Sequence, residues 1–328
     1  MRNLLLNSTP ATTAHDRQMP ALVKFSVCRK RRVLVSLEKK PQDALDREHL
    51  AIFDAYLKSP YLSIKHTSYF HVYERLLKPL VGRHITFVEV GVYNGGSLFM
   101  WREFLGPNAR IIGIDLNPLA KRWESEGFEI FIGNQADPAF WKDFAARVGE
   151  VDVLLDDGGH SNLQQIQTVV SMAPFIKDGG LLLVEDTHAS YMMQFGNPGR
   201  HSFMRFAFDV VDSINGRFPT IKSSHNSLAQ HVSSVSFFES IVAFHINRAD
   251  CFVSQPTSNG GTTLDATDYR HHETRGRSIG LLRDRLARGY SGLAPESFAA
   301  RTGARLFWLL LFVQSRVANR RAGKLFGR

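Results

Sequence analysis

The sequence predicts an α/β fold with a doubly wound, mostly parallel sheet of seven strands. Three observations support this prediction. Short apolar segments alternate with helical stretches between residues 85 and 184, a glycine-rich turn follows the first segment, and acidic residues stand where several segments end. Such alternation favours an open parallel sheet with helices on both faces.

The predicted strands are short apolar runs bounded by turn residues. Five of them occupy Ile85–Val90, Arg110–Ile114, Phe128–Ile132, Val151–Leu155 and Gly180–Val184. The segment Ser233–Ile246 predicts two more strands, an antiparallel pair with a tight turn near Glu239. Apolar periodicity predicts helices at residues 43–58, 96–104, 138–147, 162–176 and 301–324.

Charge is distributed unevenly along the chain, whose formal net charge is +9. The basic excess lies in residues 1–40 and 260–328, and the middle of the chain is acidic. We expect residues 1–40 to be a disordered basic leader, 41–84 a helical segment and 85–250 the main domain. Residues 251–328 are expected to be a basic loop, reaching to about residue 300, and an amphipathic helical tail.

These patterns exclude several classes of protein. An acidic middle argues against nucleic-acid binding, and the basic ends suit either solvated tails or an anionic surface. Cys28 and Cys251 form no CxxC pair, so a reducing, cytoplasmic compartment is expected. The longest apolar run, Leu306–Val313, is shorter than the roughly 20 residues that a membrane-spanning helix needs.

The turn after the first strand, EVGVYNGGS over residues 89–97, predicts a cofactor site. Ligands of open α/β sheets bind at the carboxyl ends of the strands, and glycines let the backbone approach them closely. The spacing matches neither the dinucleotide fingerprint nor the phosphate-binding loop. The acidic Glu89 instead suits a positively charged cofactor such as S-adenosylmethionine, which carries a sulfonium group.

Polar side chains after later strands extend this site. Asp115 ends the second strand, where a carboxylate accepts ribose hydroxyls. Gln135 follows the third strand, where it either meets the adenine edge or belongs to a polar turn. The residues that we assign to the cofactor are Glu89, Gly91, Asn94, Gly95, Ser97, Asp115, Gln135 and Asp156.

Two predicted strands end in acid pairs, Asp156-Asp157 and Glu185-Asp186. Burying so many carboxylates together is costly unless a cation neutralises them. Oxygen donors suit Mg²⁺ and do not suit zinc. We therefore predict Asp157, Glu185 and Asp186 as Mg²⁺ ligands. The alternative is a solvated acidic cleft without a metal.

His160, three residues after Asp157, is the predicted general base. An imidazole takes up a proton near neutral pH, and a hydroxyl bound to Mg²⁺ is more acidic than a free one. The alternative role for His160 is structural, at a helix N-terminus. His188 is a weaker candidate, as a partner of the metal ligands.

Six segments within residues 65–248 together resemble a known family: EVGVYNGGS, GIDLNP, FIGNQADPAFW, LLDDGGH, PFIKDGGLLLVEDTH and VSFFESIVAFHINR. They are similar to the metal-dependent sugar O-methyltransferases of macrolide biosynthesis, which include mycinamicin, demethylmacrocin and rhamnosyl methyltransferases. The resemblance implies a Rossmann-like class I methyltransferase fold, S-adenosylmethionine and Mg²⁺ as cofactors, and a sugar or glycoconjugate hydroxyl as substrate. It also implies Asp157, Glu185 and Asp186 as ligands and His160 as the base.

Two departures from the family pattern leave these ligands in place: Gly159 replaces a serine, and Asn134 replaces a frequent aspartate. The alternative acceptor is a non-sugar small molecule, namely a catechol, a carboxylic acid or a polyketide. A hydroxylase is disfavoured, because iron oxygenases use two histidines and one carboxylate and the sequence offers three carboxylates. A membrane-docked binding module would leave the acid pairs without a role.

The tail helix has a broad apolar side with arginines at both ends. Its apolar side is formed by Leu306, Leu309, Leu310, Val313 and Val317. This pattern is typical of a helix in a membrane interface, and equally of one packed on the core or on a second subunit. Peripheral membrane contact and a homo-oligomer are therefore both open.

Overall fold

The computed structural model describes residues 41, 48–197, 199–219, 221, 226–262, 264, 277–290, 292–294 and 296–325. The leader predicted at residues 1–40 lies outside the described residues. Described residues up to Asn259 form one compact unit, and those from Gly260 onward belong to a second. In the described part of the chain, no helix is long and apolar enough to cross a membrane.

The first unit contains a seven-stranded sheet in the order β3-β2-β1-β4-β5-β7-β6. The strands are β1 (Thr86–Val90), β2 (Arg110–Asp115), β3 (Glu129–Ile132), β4 (Val151–Asp156), β5 (Ile176–Val184), β6 (Val232–Phe237) and β7 (Val242–Ile246). Strands β1 to β5 are parallel, whereas β7 runs antiparallel to both β5 and β6. The predicted fold class is confirmed, including the antiparallel pair.

Six α-helices lie in the described residues of this unit. They are α1 (Ala51–Lys58), α2 (Tyr69–Leu77), α3 (Gly96–Leu105), α4 (Pro138–Val148), α5 (Asn162–Met172) and α6 (Phe203–Asn215). The helix predicted at 43–58 begins only at Ala51, because residues 48–50 form a turn in which His49 has a φ of +52°. Residues 43–47 lie outside the described residues. The helix predicted at 162–176 ends at Met172, since Pro174 stops it, and β5 begins at Ile176.

Two apolar layers hold the helices against the sheet. On one face, Phe70 and Tyr73 of α2 pack near Trp101 of α3. On the other face, Trp141 and Phe144 of α4 are buried beneath β1 and β4. Burying each such ring stabilises the fold by about 1.5–3 kcal/mol. As a result, α2 is fixed where its tyrosines reach the end of β5.

The second unit contains α7 (Arg277–Tyr290) and α8 (Phe298–Leu325). The prediction of a loop through residue 300 is wrong for α7. The apolar periodicity of α7 is weak because most of its other positions are polar or arginine. Ile279, Leu286 and Tyr290 nevertheless share one partly buried side. Gly280 permits close helix contact, since a Cβ there would lie 2.7 Å from Gln314 Nε2.

The side of α8 that turns toward α7 is not the predicted apolar side. Gly303 packs on the Tyr290 ring, which a Cβ at position 303 would approach to 2.6 Å. By contrast, Leu306 is 45% exposed and Leu309 is 56% exposed. The second unit therefore presents large apolar side chains to solvent.

Candidate active site

A cavity of about 630 Å³ opens at the carboxyl ends of β1, β2, β3 and β4; we call it the cofactor cavity. Its lining includes five residues predicted for the cofactor: Gly91, Asn94, Ser97, Asp115 and Gln135. The lining also includes Asp157, His160 and Asp186. The cavity is therefore continuous with the predicted metal and base residues. Glu89, Gly95 and Asp156, also predicted for the cofactor, do not line it.

Gly91 makes the floor of this cavity. Its φ is +92°, and a Cβ on it would lie 2.1 Å from the backbone oxygen of Asp157. The turns after β1 and β4 thus pack backbone against backbone, which only glycine permits. Gly95 has a related role, because a Cβ there would meet the Trp123 ring at 2.4 Å.

Asp115 is held rigidly at the cavity wall. Its Oδ2 accepts hydrogen bonds from the backbone N–H groups of Val92, at 2.9 Å, and Tyr93, at 3.1 Å. Its Oδ1 accepts one from Asn117 N at 2.8 Å. A carboxylate oxygen accepts about two hydrogen bonds, so Oδ2 already has both of its donors and Oδ1 can accept one more. Binding of the ribose hydroxyls by Asp115 stays a prediction, for which Oδ1 is the available acceptor.

Gln135 and Asp156 brace the turn after β4. Gln135 Nε2 donates to both carboxylate oxygens of Asp156, at 2.9 and 3.0 Å. Gln135 Oε1 accepts from Gly159 N at 2.9 Å. Burial raises the pKa of Asp156, opposed by its hydrogen bonds from Thr168 and Gln135. The contact predicted between Gln135 and adenine stays a prediction, because its amide is already engaged with the protein.

Glu89 lies behind the cavity rather than in its wall. It is fully buried and accepts hydrogen bonds from Ser97 Oγ at 2.7 Å and Trp101 Nε1 at 3.0 Å. Lys65 Nζ lies 3.9 Å from its Oε1. Burial raises the pKa of Glu89 to about 7, and the charge of Lys65 opposes that rise.

Lys65, in the loop between α1 and α2, is a buried cation that pairs with the carboxylates of this site. The sequence analysis did not predict this role. The Lys65 side chain is 1% exposed, and its Nζ lies 2.6 Å from Asp157 Oδ2 and 3.0 Å from Glu185 Oε2. Burial lowers the pKa of Lys65, but Asp157, Glu185 and Glu89 outweigh that effect and raise it well above its ordinary value. We define Glu89, Asp157, Glu185 and Asp186 as the carboxylate cluster.

Glu185 faces the interior side of the cluster. It is fully buried and accepts a hydrogen bond from the Tyr73 hydroxyl as well as from Lys65. Burial raises the pKa of Glu185 to about 8, opposed by Lys65. Its predicted role as a metal ligand stays a prediction, in which it would share its oxygens with these two donors.

Asp157, His160 and Asp186 come together on the cavity side. One donor atom of each lies within 4.8 Å of the others, and His160 Nε2 is 3.4 Å from Asp186 Oδ2. His160 does not cap α5, because Ser161 does so with Gln164 in a capping box. Within the described residues, His160 Nδ1 is buried without a hydrogen-bond partner. These contacts favour a chemical role for His160.

Backbone strain is concentrated around the cavity. Tyr93, His160 and Asp186 have φ values of +49°, +56° and +53°, and Ser240 has +61°. Non-glycine residues pay about 1–3 kcal/mol for such conformations, which cluster at functional sites. The strained backbone aims the His160 and Asp186 side chains at the same space.

Comparison with known proteins shows that residues 88–187 match a family described as a methyltransferase domain. The match spans the cavity turn after β1, the turn after β4 and the acid pair after β5.

Several curated relatives methylate sugars, according to their names. The 8-demethyl-8-alpha-L-rhamnosyl tetracenomycin-C 2'-O-methyltransferase of Streptomyces olivaceus is 31% identical over 135 residues, which cover 39% of this chain and 35% of the relative. The demethylmacrocin O-methyltransferase of Streptomyces fradiae is 28% identical, covering 47% and 43%. The chain thus matches less than half the length of these relatives.

Solved structures support the fold. The MycE methyltransferase from the mycinamycin pathway, in complex with Mg, S-adenosylhomocysteine (SAH) and mycinamycin VI, superposes with a TM-score of 0.54 at 23% identity. The superposition covers 61% of this chain and 54% of MycE. The fold that the sequence resemblance implies is therefore confirmed.

The buried cation gives a prediction about stability. Lys65→Met should cost about 3–5 kcal/mol in the free energy of unfolding, because it leaves buried carboxylates uncompensated. Lys58→Met is the matched control: Lys58 is exposed and pairs with Glu103, so its loss should leave the free energy of unfolding nearly unchanged. Urea denaturation followed by circular dichroism measures both.

A second variant identifies the cause of that loss. Adding Glu185→Gln to Lys65→Met removes one buried carboxyl group that has lost its cationic partner, so the double variant should regain part of the lost stability. Equal stability of the Lys65→Met and Lys58→Met variants would show that Lys65 does not balance the carboxylate cluster.

Proposed function

We propose that this chain is an S-adenosylmethionine-dependent, Mg²⁺-assisted O-methyltransferase acting on a hydroxyl of a sugar or glycoconjugate. The observation that carries the proposal is that the predicted metal and base residues also line the cofactor cavity. Asp157, His160 and Asp186 line the cofactor cavity and also gather within 4.8 Å of one another. A methyl donor and an activated hydroxyl would therefore meet at one place.

The cavity residues fit S-adenosylmethionine. The glycine floor at Gly91 brings backbone close to a ligand, and the fixed Asp115 carboxylate suits a ribose. The cavity follows β1, where ligands of doubly wound sheets bind. The nearby carboxylate cluster suits a cofactor with a cationic sulfonium.

The donor set also fits Mg²⁺. Asp157, Glu185 and Asp186 offer carboxylate oxygens, which Mg²⁺ prefers. Lys65 alone cannot neutralise the carboxylate cluster, so a divalent cation would offset the remaining negative charge. Asp157 and Asp186 would hold it on the cavity side, and Glu185 would join them while sharing its oxygens with Lys65 and Tyr73.

His160 would act as the general base. When bound, Mg²⁺ and S-adenosylmethionine would supply a polarised acceptor hydroxyl and the methyl group. His160 Nε2 would accept the hydroxyl proton as the acceptor oxygen bonds to the methyl carbon and the carbon–sulfur bond breaks. Asp186, 3.4 Å from that nitrogen, would stabilise the protonated imidazole.

The acceptor class is supported by the relatives' names, which specify rhamnosyl and macrolide glycosides. The alternative is a non-sugar small molecule, because the chain matches less than half of those relatives. The argument against a hydroxylase needs correction, since His66 and His188 join Asp186 in a set of two histidines and one carboxylate. The family match nevertheless favours methyl transfer.

A labelling assay tests the acceptor. Tritium-labelled S-adenosylmethionine is incubated with p-nitrophenyl α-L-rhamnoside, catechol or benzoate, with Mg²⁺ or with EDTA. We expect label in the rhamnoside, and only with Mg²⁺. Label in catechol or benzoate but not in the rhamnoside would contradict the sugar assignment and support the alternative.

The same assay tests His160. His160→Gln should lower kcat by about 10²–10⁴-fold, the usual contribution of a positioned base, while SAH still binds. His84→Gln, a change at an exposed histidine, is the control. Full activity of His160→Gln would show that another group removes the proton.

We also propose that the second unit docks on an anionic membrane surface. Trp308 and Phe312 of α8 are 66% and 56% exposed, next to the exposed Leu309. Arg305 and Arg316 are exposed on the same helix. Exposed aromatic residues with basic neighbours suit an anionic lipid surface, to which each basic residue adds about 1 kcal/mol of attraction. The expected location is the cytoplasmic face.

Vesicle sedimentation tests this docking. The chain should sediment with phosphatidylglycerol vesicles at low salt, and Phe312→Asp should weaken that binding. Ser315→Asp is the matched control, because it adds the same charge at an exposed polar position of α8. Equal binding by the two variants, or a stable dimer that stays in the supernatant, would contradict membrane docking.

A further inference from the structure

We propose a second metal site, formed by His66, Asp186 and His188, that binds a late first-row transition metal dication such as Zn²⁺ or Co²⁺. One donor atom of each residue lies within 4.8 Å of the other two. The rings of His66 and His188 lie edge to face, with centroids 5.5 Å apart. We call these three residues the histidine cluster.

The donor chemistry distinguishes this site from the carboxylate cluster. Two imidazoles and one carboxylate suit Zn²⁺, Co²⁺ or Ni²⁺, whereas oxygen-rich sets suit Mg²⁺. Neither His66 nor His188 lines the cofactor cavity, which Asp186 does line. The exposed His66 makes the histidine cluster accessible from solvent.

Ser240 holds His188 in a ligand's orientation. Its Oγ is 2.5 Å from His188 Nδ1 and 2.9 Å from the Tyr69 hydroxyl oxygen. Histidine ligands of metals usually bond through one ring nitrogen while a hydrogen bond fixes the other. The hydrogen bond to Ser240 thus orients the His188 ring, whose Nδ1 also lies 3.8 Å from Asp186 Oδ1. The strained φ of Ser240, +61°, is consistent with such a role.

Asp186 faces both clusters. Its Oδ2 is 3.4 Å from His160 Nε2, and its Oδ1 is 3.8 Å from His188 Nδ1. Tyr69 donates a hydrogen bond to Oδ1 and so fixes the carboxylate plane. A single carboxylate can bridge two cations through its two oxygens, so the second metal would contact the first site through Asp186.

The test measures metal binding and does not depend on methyl transfer. Untagged protein is titrated with Co²⁺, followed by visible absorption, and bound Zn²⁺ is measured by equilibrium dialysis. The Asp157→Asn variant lacks a ligand of the carboxylate cluster only. We expect it to retain one Co²⁺ per chain, with an imidazole-type spectrum.

Histidine variants made in the Asp157→Asn background locate the site. His66→Ala and His188→Ala should each weaken Co²⁺ binding by about 10–100-fold, and His84→Ala, at an exposed histidine, should not. His66 and His188 are partly or fully exposed, so circular dichroism should confirm that these variants fold. Unchanged Co²⁺ affinity in both, or no Co²⁺ bound by Asp157→Asn, would overturn the second site.

Discussion

The rest of the site depends on one interaction, the burial of the Lys65 ammonium among three carboxylates. Parallel strands bring their carboxyl ends to one edge of the sheet, and in this chain several of those ends are acidic. Such a group of anions is unstable in a low dielectric without a positive partner. Lys65 supplies that partner from a loop outside the sheet, and the packing of α1 and α2 holds the loop in place.

The carboxylates at this edge of the sheet form two groups, one facing the protein interior and one partly exposed. Glu89 and Glu185 point inward, where Lys65, Tyr73 and Trp101 satisfy them. Asp157 and Asp186 are partly exposed on the outer side. The inner contacts hold the outer carboxylates in place, so a ligand at the proposed site would meet side chains that are already oriented. Strained backbone at His160 and Asp186 is held by the same framework.

Much of the fold was predictable because its signals are local. Apolar strands, the glycine turn and the acid pairs can each be recognised within a few residues, and the mostly parallel sheet follows from the alternation of strands and helices. Lys65 could not be predicted, since its partners lie 92 and 120 residues away. The inward direction of the Glu89 side chain could not be predicted either, because the sequence shows that Glu89 lies near the end of a strand but not which side chains surround it. The helix α7 was missed since its arginines mask a thin apolar side.

We propose separate but adjacent places for the cofactor and the metal at this edge of the sheet. Calorimetry of SAH and of Mg²⁺ binding to the wild type and to Asp186→Asn tests this arrangement. Asp186→Asn should lose Mg²⁺ binding while its SAH affinity stays that of the wild type. Retained Mg²⁺ binding with a collapse of SAH affinity would contradict the proposed arrangement.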